Sequence, residues 1–391
     1  MIYLDNAATT MMYPEVLNAM KPYMGKQYGN AGTLYALGRE SREAMDKARC
    51  QVASLLKCSP ENIIFTSGGT ESNNTVIFGL RRHLTEQGKT QIISSKVEHD
   101  SIIHALEALS RENEMLIKPV FDVRFLGVNN DCRVQIEELK KIISDKTGLV
   151  SVMFVNNETG ARNPVEDIGK LCKQNGVLFH TDCVQAAGLQ DIDVNKINCD
   201  FLSISAHKIH GPKGIGALYI RDKSIIDPII HGGLSQEFGL RGGTENVPNI
   251  VGFGKACEIA QDNLKFNQVL IHNIASKFIN AIYYYAEEVD LSENIRFNLI
   301  ENQTKTLSLL IKDCDAQTLV LMLDNLGVCV SAGSACRSSL NEPSRVLTAM
   351  GLSGDEARST IRISFSIHNT QAEAVDAARE IITCAKQLSM L

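Results

Sequence analysis

The chain lacks several features that would assign it to a membrane, secreted or nucleic-acid-binding class. No apolar run approaches the roughly 18–20 residues that a membrane-spanning helix needs. The first residues show no basic stretch followed by an apolar one, as a secretory signal does. The net charge of −6 over 391 residues is small, which argues against a generally nucleic-acid-binding surface. We therefore expect a cytoplasmic protein with no membrane segment and no direct nucleic-acid contact.

The cysteines lack the C-x-x-C spacing that zinc ribbons and thioredoxin-like redox sites use. There are eleven of them, scattered along the whole chain. An odd, scattered set is typical of a reducing compartment and not of a disulfide framework. Most of these thiols are expected to be small buried hydrophobic groups.

The chain does contain ample material for a large core, because hydrophobic residues make up 44% of it and charged residues only 21%. Short apolar runs alternate with amphipathic stretches over its first two thirds. The runs that indicate buried strands are 63–66, 91–94, 149–154, 177–180, 201–204 and 216–220, and the clearest amphipathic stretches are 136–144 and 165–174. This alternation predicts an α/β fold with a mostly parallel sheet and helices on both faces.

The pattern changes near residue 250. A long helical pattern over 250–287 precedes strands near 295–300, 306–311 and 361–366 and helices near 316–326 and 371–388. These elements are typical of an α+β module. We predict a large domain of residues 14–257 and a smaller α+β domain formed by residues 1–13 and 258–391.

The segment TSGGTESNN at residues 66–74 follows a predicted strand and opens a helix. Such a loop directs free backbone N–H groups and the positive end of a helix dipole at one point, where Gly69 and Thr70 would stand. A phosphate fits there. The alternative is an ordinary helix start that is capped by Ser67 or Thr70.

A second polar segment, HTDCVQ at residues 180–185, follows the strand predicted at 177–180. Polar groups at the carboxyl ends of parallel strands point into the crevice where open α/β sheets bind ligands. Asp182 and Gln185 could hold two edges of one flat heterocycle. The alternative is a turn in which Asp182 caps a helix.

The third segment, SAHKIHGPKGIG at residues 205–216, places Lys208 just after an apolar strand and between two histidines. Desolvation lowers the pKa of a lysine, and such an amine forms Schiff bases. A metal site is the alternative, with His180, Asp182, His207 and His210 as ligands of a zinc-dependent hydrolase. Against it, Pro212 ends any helix that would align the two later histidines.

Together these three segments indicate one cofactor, pyridoxal 5'-phosphate. A phosphate cradle, a carboxylate that keeps a ring nitrogen protonated and a lysine that forms a Schiff base are the parts this cofactor needs. Asp182 as a carboxylate would keep the ring nitrogen protonated, and Gln185 could hydrogen-bond the phenolic oxygen. His99, which follows the strand predicted at 91–94, could stack on the ring face.

Cys336 lies in the run SAGSACRSS at residues 331–339, among small residues that leave a thiol open and able to move. The neighbouring Arg337 could favour its thiolate. The alternative, a buried structural cysteine, applies better to Cys329, which lies in an apolar run.

At this point the sequence resembles the cysteine desulfurases, enzymes of the class V aminotransferase type with pyridoxal phosphate fold type I. The segments that carry the resemblance, in chain order, are 3–10, 66–74, 97–99, 156–160, 180–185, 205–208, 239–244, 333–336 and 361–364. The ordered set is highly specific and spans the chain. The distance from Cys336 to the segment EPS at 342–344 resembles the long cysteine loop of the group I, iron–sulfur-assembly type.

The resemblance implies roles for individual residues. Gly69, Thr70, Ser205 and His207 would hold the phosphate, Asn157 would line the ring and the substrate site, and Thr244 would reach the phosphate of the other subunit of a homodimer. Lys208 would bind the cofactor and take the Cα proton, and Arg362 would grip the substrate carboxylate. Cys336 would accept sulfur as a persulfide, with His99 handling the proton of the substrate thiol.

The implied reaction converts L-cysteine to L-alanine and passes sulfur to an acceptor protein for iron–sulfur assembly or a related thiolation. A selenocysteine lyase and another class V aminotransferase or lyase are the alternatives, since they share everything except the need for Cys336. The chain departs from the usual family pattern in three places. The segment NAGTLY at 30–35 replaces an Asn-Pro-Ser-Ser run and a histidine expected near Tyr35, Cys183 replaces alanine and Arg337 replaces threonine.

Overall fold

The computed structural model describes residues 1–114, 121–300, 304–333 and 342–390. Cys336 and Arg337, which were assigned the reactive thiol and its neighbouring charge, lie outside these residues. The strands are β1 (Ile2–Tyr3), β2 (Ile63–Thr66), β3 (Gln91–Ser95), β4 (Asp122–Leu126), β5 (Thr147–Ser151), β6 (Leu178–Asp182), β7 (Phe201–Ser205), β8 (Gly216–Ile220), β9 (Ile295–Leu299), β10 (Thr306–Ile311), β11 (Val328–Cys329) and β12 (Thr360–Ser364).

The helices surround these strands in sequence and in space. They are α1 (Pro14–Met20), α2 (Ala36–Leu56), α3 (Gly69–Gly79), α4 (Arg81–Glu86), α5 (Asp100–Glu114), α6 (Ile136–Ile142), α7 (Val165–Gln174), α8 (Val194–Ile197), α9 (Val247–Asp262), α10 (Leu264–Glu288), α11 (Ala316–Asn325), α12 (Arg345–Ala349), α13 (Gly354–Arg358) and α14 (Gln371–Leu388). No helix in the described ranges is long and apolar enough to cross a membrane.

The largest sheet has seven strands in the order β2-β8-β7-β6-β5-β3-β4. Its pairs are parallel except those of β8, which runs antiparallel to β2 and β7. Strands β5, β7 and β8 are buried along their whole length, as expected for strands that are covered on both faces. The predicted α/β fold with a mostly parallel sheet is therefore confirmed.

Strand β4 was not predicted, and its position explains why. It lies at the edge of the sheet, paired only with β3, and it alternates exposed and partly buried residues. Its charged residues Asp122 and Arg124 form an ion pair with one another. Charged, half-exposed edge strands do not show the apolar run that marks a central strand.

The second part of the chain forms a three-stranded antiparallel sheet in the order β12-β10-β9. Helices α10 and α14 pack against each other beside this sheet, and a separate hydrophobic cluster joins them to it. The N-terminal strand β1 pairs with β11, so the start of the chain packs with this second part. The helical pattern expected over 250–287 is two helices that meet at Asn263. The domain boundaries at 13/14 and 257/258 stay a prediction.

The sheet topology brings several chain segments to one edge. Strands β3, β6 and β7 run parallel through β5, and β2 runs the same way because it is antiparallel to β8. Their carboxyl ends therefore lie along the same edge of the sheet. The segments that begin there contain the phosphate-loop, histidine, aspartate and lysine residues singled out in the sequence.

Gly169 is a position where packing overrides helix propensity. A Cβ atom at this position in α7 would overlap the carbonyl oxygen of Ile197. Alanine normally stabilises a helix by about 1 kcal/mol relative to glycine. Overpacking a buried contact costs about 1–3 kcal/mol. With the propensity gain subtracted, we expect Gly169→Ala to lower the free energy of unfolding by up to about 2 kcal/mol, as measured by urea denaturation.

Gly127→Ala is the matched control, because a Cβ atom there would meet only the Glu138 carboxylate at an ordinary 3.6 Å. Its free energy of unfolding should stay within about 0.5 kcal/mol of the parent. If both variants behave alike, the close contact between α7 and the Ile197 carbonyl does not exist in solution.

Candidate active site

A cavity of about 270 Å³ opens at the carboxyl edge of the seven-stranded sheet. The sequence-predicted residues that line it are Gly69, Thr70, His99, Asn157, Asp182, Gln185, Ser205, His207, Lys208 and Arg362. The cavity also includes residues from the N-terminal arm, Ala7 and Ala8, and from the start of α12, Arg345. One site thus collects side chains from both parts of the chain.

The start of α3 forms one end of the cavity. Gly68 is its N-cap residue, and no side chain caps the helix there. The N–H groups of the first turn have no acceptor within the helix, so they are available to an anion. The alternative of a helix capped by Ser67 or Thr70 is therefore wrong. Ser205, the last residue of β7, and His207, in the turn that follows, line this end as well.

Two glycines allow the close approach of chain segments around this end. A Cβ atom on Gly69 would lie 2.7 Å from Val184 Cγ2, and one on Gly216 would lie 2.7 Å from the Gly68 Cα. Both distances are shorter than real Cβ contacts allow. A larger residue at either position would push the start of α3 away from β8 or from the turn that follows β6.

Asp182 ends β6 and is almost fully buried beside the cavity. Its Oδ2 accepts a hydrogen bond from Asn73 Nδ2 at 2.8 Å, and its Oδ1 accepts one from the Val184 N–H at 2.9 Å. The residues that follow form turns and no helix, so the alternative role as a helix cap is wrong. The two donors hold the carboxylate in one orientation.

Lys208 lies in a single helical turn after β7. Its Nζ donates to the carbonyl oxygens of Ala7 at 2.5 Å and Ala8 at 2.7 Å, both on the N-terminal arm. The ammonium of Lys305, a buried residue just before β10, donates to the Lys208 carbonyl at 3.2 Å. Burial, followed by the charges of Lys208 and Arg362, lowers the pKa of Lys305 to about 7.

His99 lies between β3 and α5, and its Nδ1 is within hydrogen-bond distance of Ser101 Oγ at 2.8 Å. Burial lowers the pKa of this imidazole, and the nearby Asp182 and Asp100 carboxylates oppose that effect. The ring is therefore neutral at physiological pH. A neutral imidazole can accept a proton from an acidic group in the cavity.

Arg362 on β12 is buried and faces the cavity from the second part of the chain. Its Nη2 pairs with Asp5 Oδ1 at 2.6 Å, and its Nη1 donates to the Asn157 carbonyl at 3.2 Å. Its Nε is buried with no hydrogen-bond partner within the described residues. A carboxylate in the cavity would satisfy that donor.

Two buried carboxyl groups at the cavity were not assigned a role from the sequence. Glu98 accepts hydrogen bonds from Ser95 Oγ and from the Met153 N–H, and burial raises its pKa to about 8. Burial also raises the pKa of Glu158, which accepts a hydrogen bond from Ser344 Oγ at 2.6 Å. Glu98 directly precedes His99, and Glu158 directly follows Asn157. Their position next to two predicted site residues is the sequence feature that could have identified them.

The four residues of the zinc alternative do not form a metal site. His180 is buried with its two ring nitrogens against the hydroxyls of Ser151 and Ser203, and burial lowers its pKa to about 3. The His210 ring stacks on Tyr13 with ring centroids 4.4 Å apart. Within the described ranges no group of three or more histidine, cysteine, aspartate or glutamate side chains could hold a metal ion.

One predicted site residue, Thr244, and one departure from the family pattern, Cys183, lie outside the cavity. Thr244 is exposed and does not line the cavity, so its predicted role would need another subunit. Cys183, which departs from the usual family pattern, is fully buried, and burial raises its pKa well above the usual range. It is an inert core residue.

The residues present fit pyridoxal phosphate. The cavity has a helix start without a side-chain cap at one end, and a hydrogen-bonded carboxylate and an amine also line it. Asn73 Oδ1 and Gln185 Oε1 line the same cavity and are buried without hydrogen-bond partners in the described part of the chain. Buried polar atoms without partners are costly, so a polar ligand is expected to satisfy them.

Comparison with known proteins gives the same result. The model of the family Aminotransferase class-V matches residues 2–377. The chain belongs to the class-V aminotransferase family. A cysteine desulfurase IscS of Clostridium botulinum, strain Hall, is 39% identical over 391 residues, covering 97% of this chain and 93% of the relative.

Two solved structures are similar over nearly the whole chain. A NifS-like protein has a TM-score of 0.89 and 34% sequence identity, with 100% of both chains covered. A structure described as SspA in complex with cysteine has a TM-score of 0.78 and 33% identity, covering 95% of this chain and 100% of the other. These findings confirm the predicted fold, the pyridoxal phosphate cofactor and cysteine desulfurase as the class of enzyme.

Asp182→Asn tests the role of the buried carboxylate in this family member. Asparagine keeps the size of the side chain but cannot stabilise a protonated ring nitrogen by charge. We expect affinity for pyridoxal phosphate, titrated by absorbance, to fall about tenfold and turnover of cysteine to fall on the order of 10²-fold.

The control is Asp200→Asn, the same substitution at the opposite edge of the sheet, where Asp200 accepts from the Phe179 N–H. Cofactor affinity and turnover of this variant should match those of the parent. Equal losses in both variants would show that the Asp182 effect comes from general destabilisation.

Proposed function

We propose that this chain removes sulfur from L-cysteine, releases L-alanine and carries the sulfur as a persulfide on Cys336. The observation that supports this most strongly is a single cavity with three kinds of group. These are a lysine amine, a carboxylate suited to a ring nitrogen and a buried guanidinium suited to the substrate carboxylate. The relatives named as cysteine desulfurases support the same reaction.

The cofactor is held at both ends in this proposal. The first turn of α3 at Gly69 and Thr70, together with Ser205 and His207, holds the phosphate. Burial, followed by nearby lysine charges, lowers the pKa of His207 to about 4, so this ring acts as a neutral hydrogen-bonding group. Bound pyridoxal phosphate supplies an electron sink for the bonds around the substrate Cα.

The ring is held by three further side chains. Asp182 would keep the ring nitrogen protonated, Gln185 would hydrogen-bond the phenolic oxygen and His99 would stack on the ring face. In a homodimer, Thr244 of one subunit reaches the phosphate of the other. The exposure of Thr244 in the single chain is compatible with that role.

The substrate carboxylate binds to Arg362, with Asn157 beside it. A guanidinium offers two parallel donors to a carboxylate, and the unpartnered Nε of Arg362 is one such donor. The pairing with Asp5 keeps the guanidinium in place before substrate arrives. Substrate orientation thus depends on a side chain from the second part of the chain.

Lys208 removes the proton from the substrate Cα. The carbonyls of Ala7 and Ala8 accept hydrogen bonds from its Nζ, so the amine has a defined position when it is not bonded to the cofactor. His99 accepts the proton of the substrate thiol, because its lowered pKa keeps the ring neutral.

The sulfur acceptor is Cys336. The chain has eleven cysteines, and none of the ten in the described ranges lines the cavity. In the transfer, the Cys336 thiolate attacks the substrate sulfur and forms an S–S bond. The Cβ–S bond breaks, its electron pair stays with the carbon fragment, and protonation of Cβ leads to alanine.

The destination of the sulfur is an acceptor protein for iron–sulfur cluster assembly or a related thiolation. The IscS names of the relatives support the iron–sulfur route. The homodimer and the cytoplasmic location are part of the same proposal. A selenocysteine lyase or another class V aminotransferase is not favoured by these relatives.

Cys336→Ala separates the proposed reaction from those alternatives. The variant should keep the visible absorbance of the bound cofactor, because the cavity is intact. It should lose sulfide release from cysteine in the presence of a thiol by at least about 10²-fold, because no thiol then accepts the sulfur.

Cys329→Ala is the matched control. Cys329 lies in the short strand β11, and burial raises its pKa. Its replacement should leave sulfide release unchanged. Full activity of Cys336→Ala with cysteine would rule out a persulfide on this residue.

A further inference from the structure

The guanidinium of Arg345, at the start of α12, binds the chain on both sides of His99. Its Nη1 donates to the Lys96 carbonyl at 2.6 Å, and its Nη2 donates to the Glu98 carbonyl at 2.9 Å. The same Nη2 pairs with Asp100 Oδ1 at 3.0 Å. Two hydrogen bonds to backbone carbonyls before the imidazole and one ion pair with the side chain that follows it thus hold the segment around His99.

We propose that Arg345 is a positioning residue for His99, which fixes the backbone of this histidine and, together with Asp100, sets the charge around its ring. The inference rests on the proposed function, in which His99 takes the proton of the substrate thiol. Arg345 lines the same cavity, but it acts through His99 and does not need to touch the substrate.

The geometry favours a role in catalysis because Arg345 and its neighbour Ser344 contact different parts of the site. The Ser344 hydroxyl donates to the buried Glu158 carboxylate. Glu158 follows Asn157, which accepts a hydrogen bond from Arg362. Residues 344 and 345 therefore connect the histidine side of the cavity with the substrate-carboxylate side.

The charges that face His99 come from four residues on separate segments. Asp182 and Asp100 raise the pKa of the imidazole, whereas Lys208 and Arg345 lower it, and burial is the largest effect and also lowers it. Arg345 and Asp100 carry opposite charges and form an ion pair, so their effects on the pKa of the His99 ring partly cancel. Removing one of the two charges leaves the other uncompensated.

Without the positive charge of Arg345, Asp100 stabilises the imidazolium and the pKa of His99 rises. Activity that depends on the neutral ring is lost as the pH falls through this pKa. The acid limb of the profile of kcat against pH should therefore move to higher pH in Arg345→Met and to lower pH in Asp100→Asn.

The experiment measures the pKa of His99 by NMR in the holoenzyme, with ¹³C-labelled histidine and His99→Gln for assignment. Arg345→Met should raise this pKa by at least about half a unit, and Asp100→Asn should lower it. The variant Arg345→Met should also reduce kcat about tenfold with a smaller change in KM, because misplacing a reacting group costs rate more than binding.

Arg345→Lys keeps the positive charge but cannot donate hydrogen bonds to the Lys96 and Glu98 carbonyls in the same geometry. Its His99 pKa should stay near that of the parent, while kcat falls. Arg358→Met is the control for loss of an arginine, since Arg358 forms a surface pair with Asp355 in α13. It should change neither the pKa of His99 nor kcat.

An unchanged His99 pKa and an unchanged kcat in Arg345→Met would overturn the inference, and a lowered melting temperature alone would show a structural role only. If Arg345→Met does not fold, Asp100→Asn decides, and an unchanged His99 pKa there overturns the inference as well. Failure of the proposed function is distinguishable, because the parent enzyme would then release no sulfide from cysteine although the His99 titration still responds to Arg345.

Discussion

The parallel register of the central strands is the constraint on which the site depends. Asp182 pairs with Ser203 across β6 and β7, and the same register brings the ends of both strands to one edge. Because side chains alternate along a strand, a shift by one residue would turn Asp182 away from the cavity. The hydrogen bonds of the sheet therefore hold the carboxylate and the start of the Lys208 segment at a fixed separation.

The second constraint is charge. The cavity is lined by the buried side chains of Glu98, Glu158 and Arg362, and the buried Lys305 is close enough to Arg362 to be affected by its charge. Isolated buried charges destabilise a fold. Two features of the structure reduce this unfavourable free energy. Arg362 pairs with Asp5, while burial and neighbouring cations lower the pKa of Lys305 to about 7. An anionic phosphate and a substrate carboxylate complement the remaining positive charge.

Sequence alone predicts the parts of the fold that have strong local signals. The buried runs predict β2, β8 and β10 at their observed bounds, because an apolar run between turn residues is a local feature. The residues around Lys208 and Asp182 are also predictable, since each directly follows such a run. The break between α9 and α10 cannot be predicted in this way, because Asn263 does not interrupt the apolar pattern of the two helices.

The residues that sequence reasoning missed depend on long-range contacts. Arg345 binds backbone atoms almost 250 positions earlier in the chain, and Glu158 is bound by Ser344 from the opposite part of the chain. No local spacing reports such contacts. The contacts of Lys208 with Ala7 and Ala8 cannot be predicted for another reason. They involve backbone carbonyl oxygens, which any residue type would supply.

The central claim is that one amine, on Lys208, bonds to pyridoxal phosphate. Reduction of the purified protein with borohydride, followed by proteolysis and mass spectrometry of the peptides, tests it most directly. The account predicts a phosphopyridoxyl group on the peptide that contains Lys208 and on no other lysine. A reduced adduct on Lys305 or Lys213, or the absence of any adduct in a protein that still desulfurates cysteine, would contradict it.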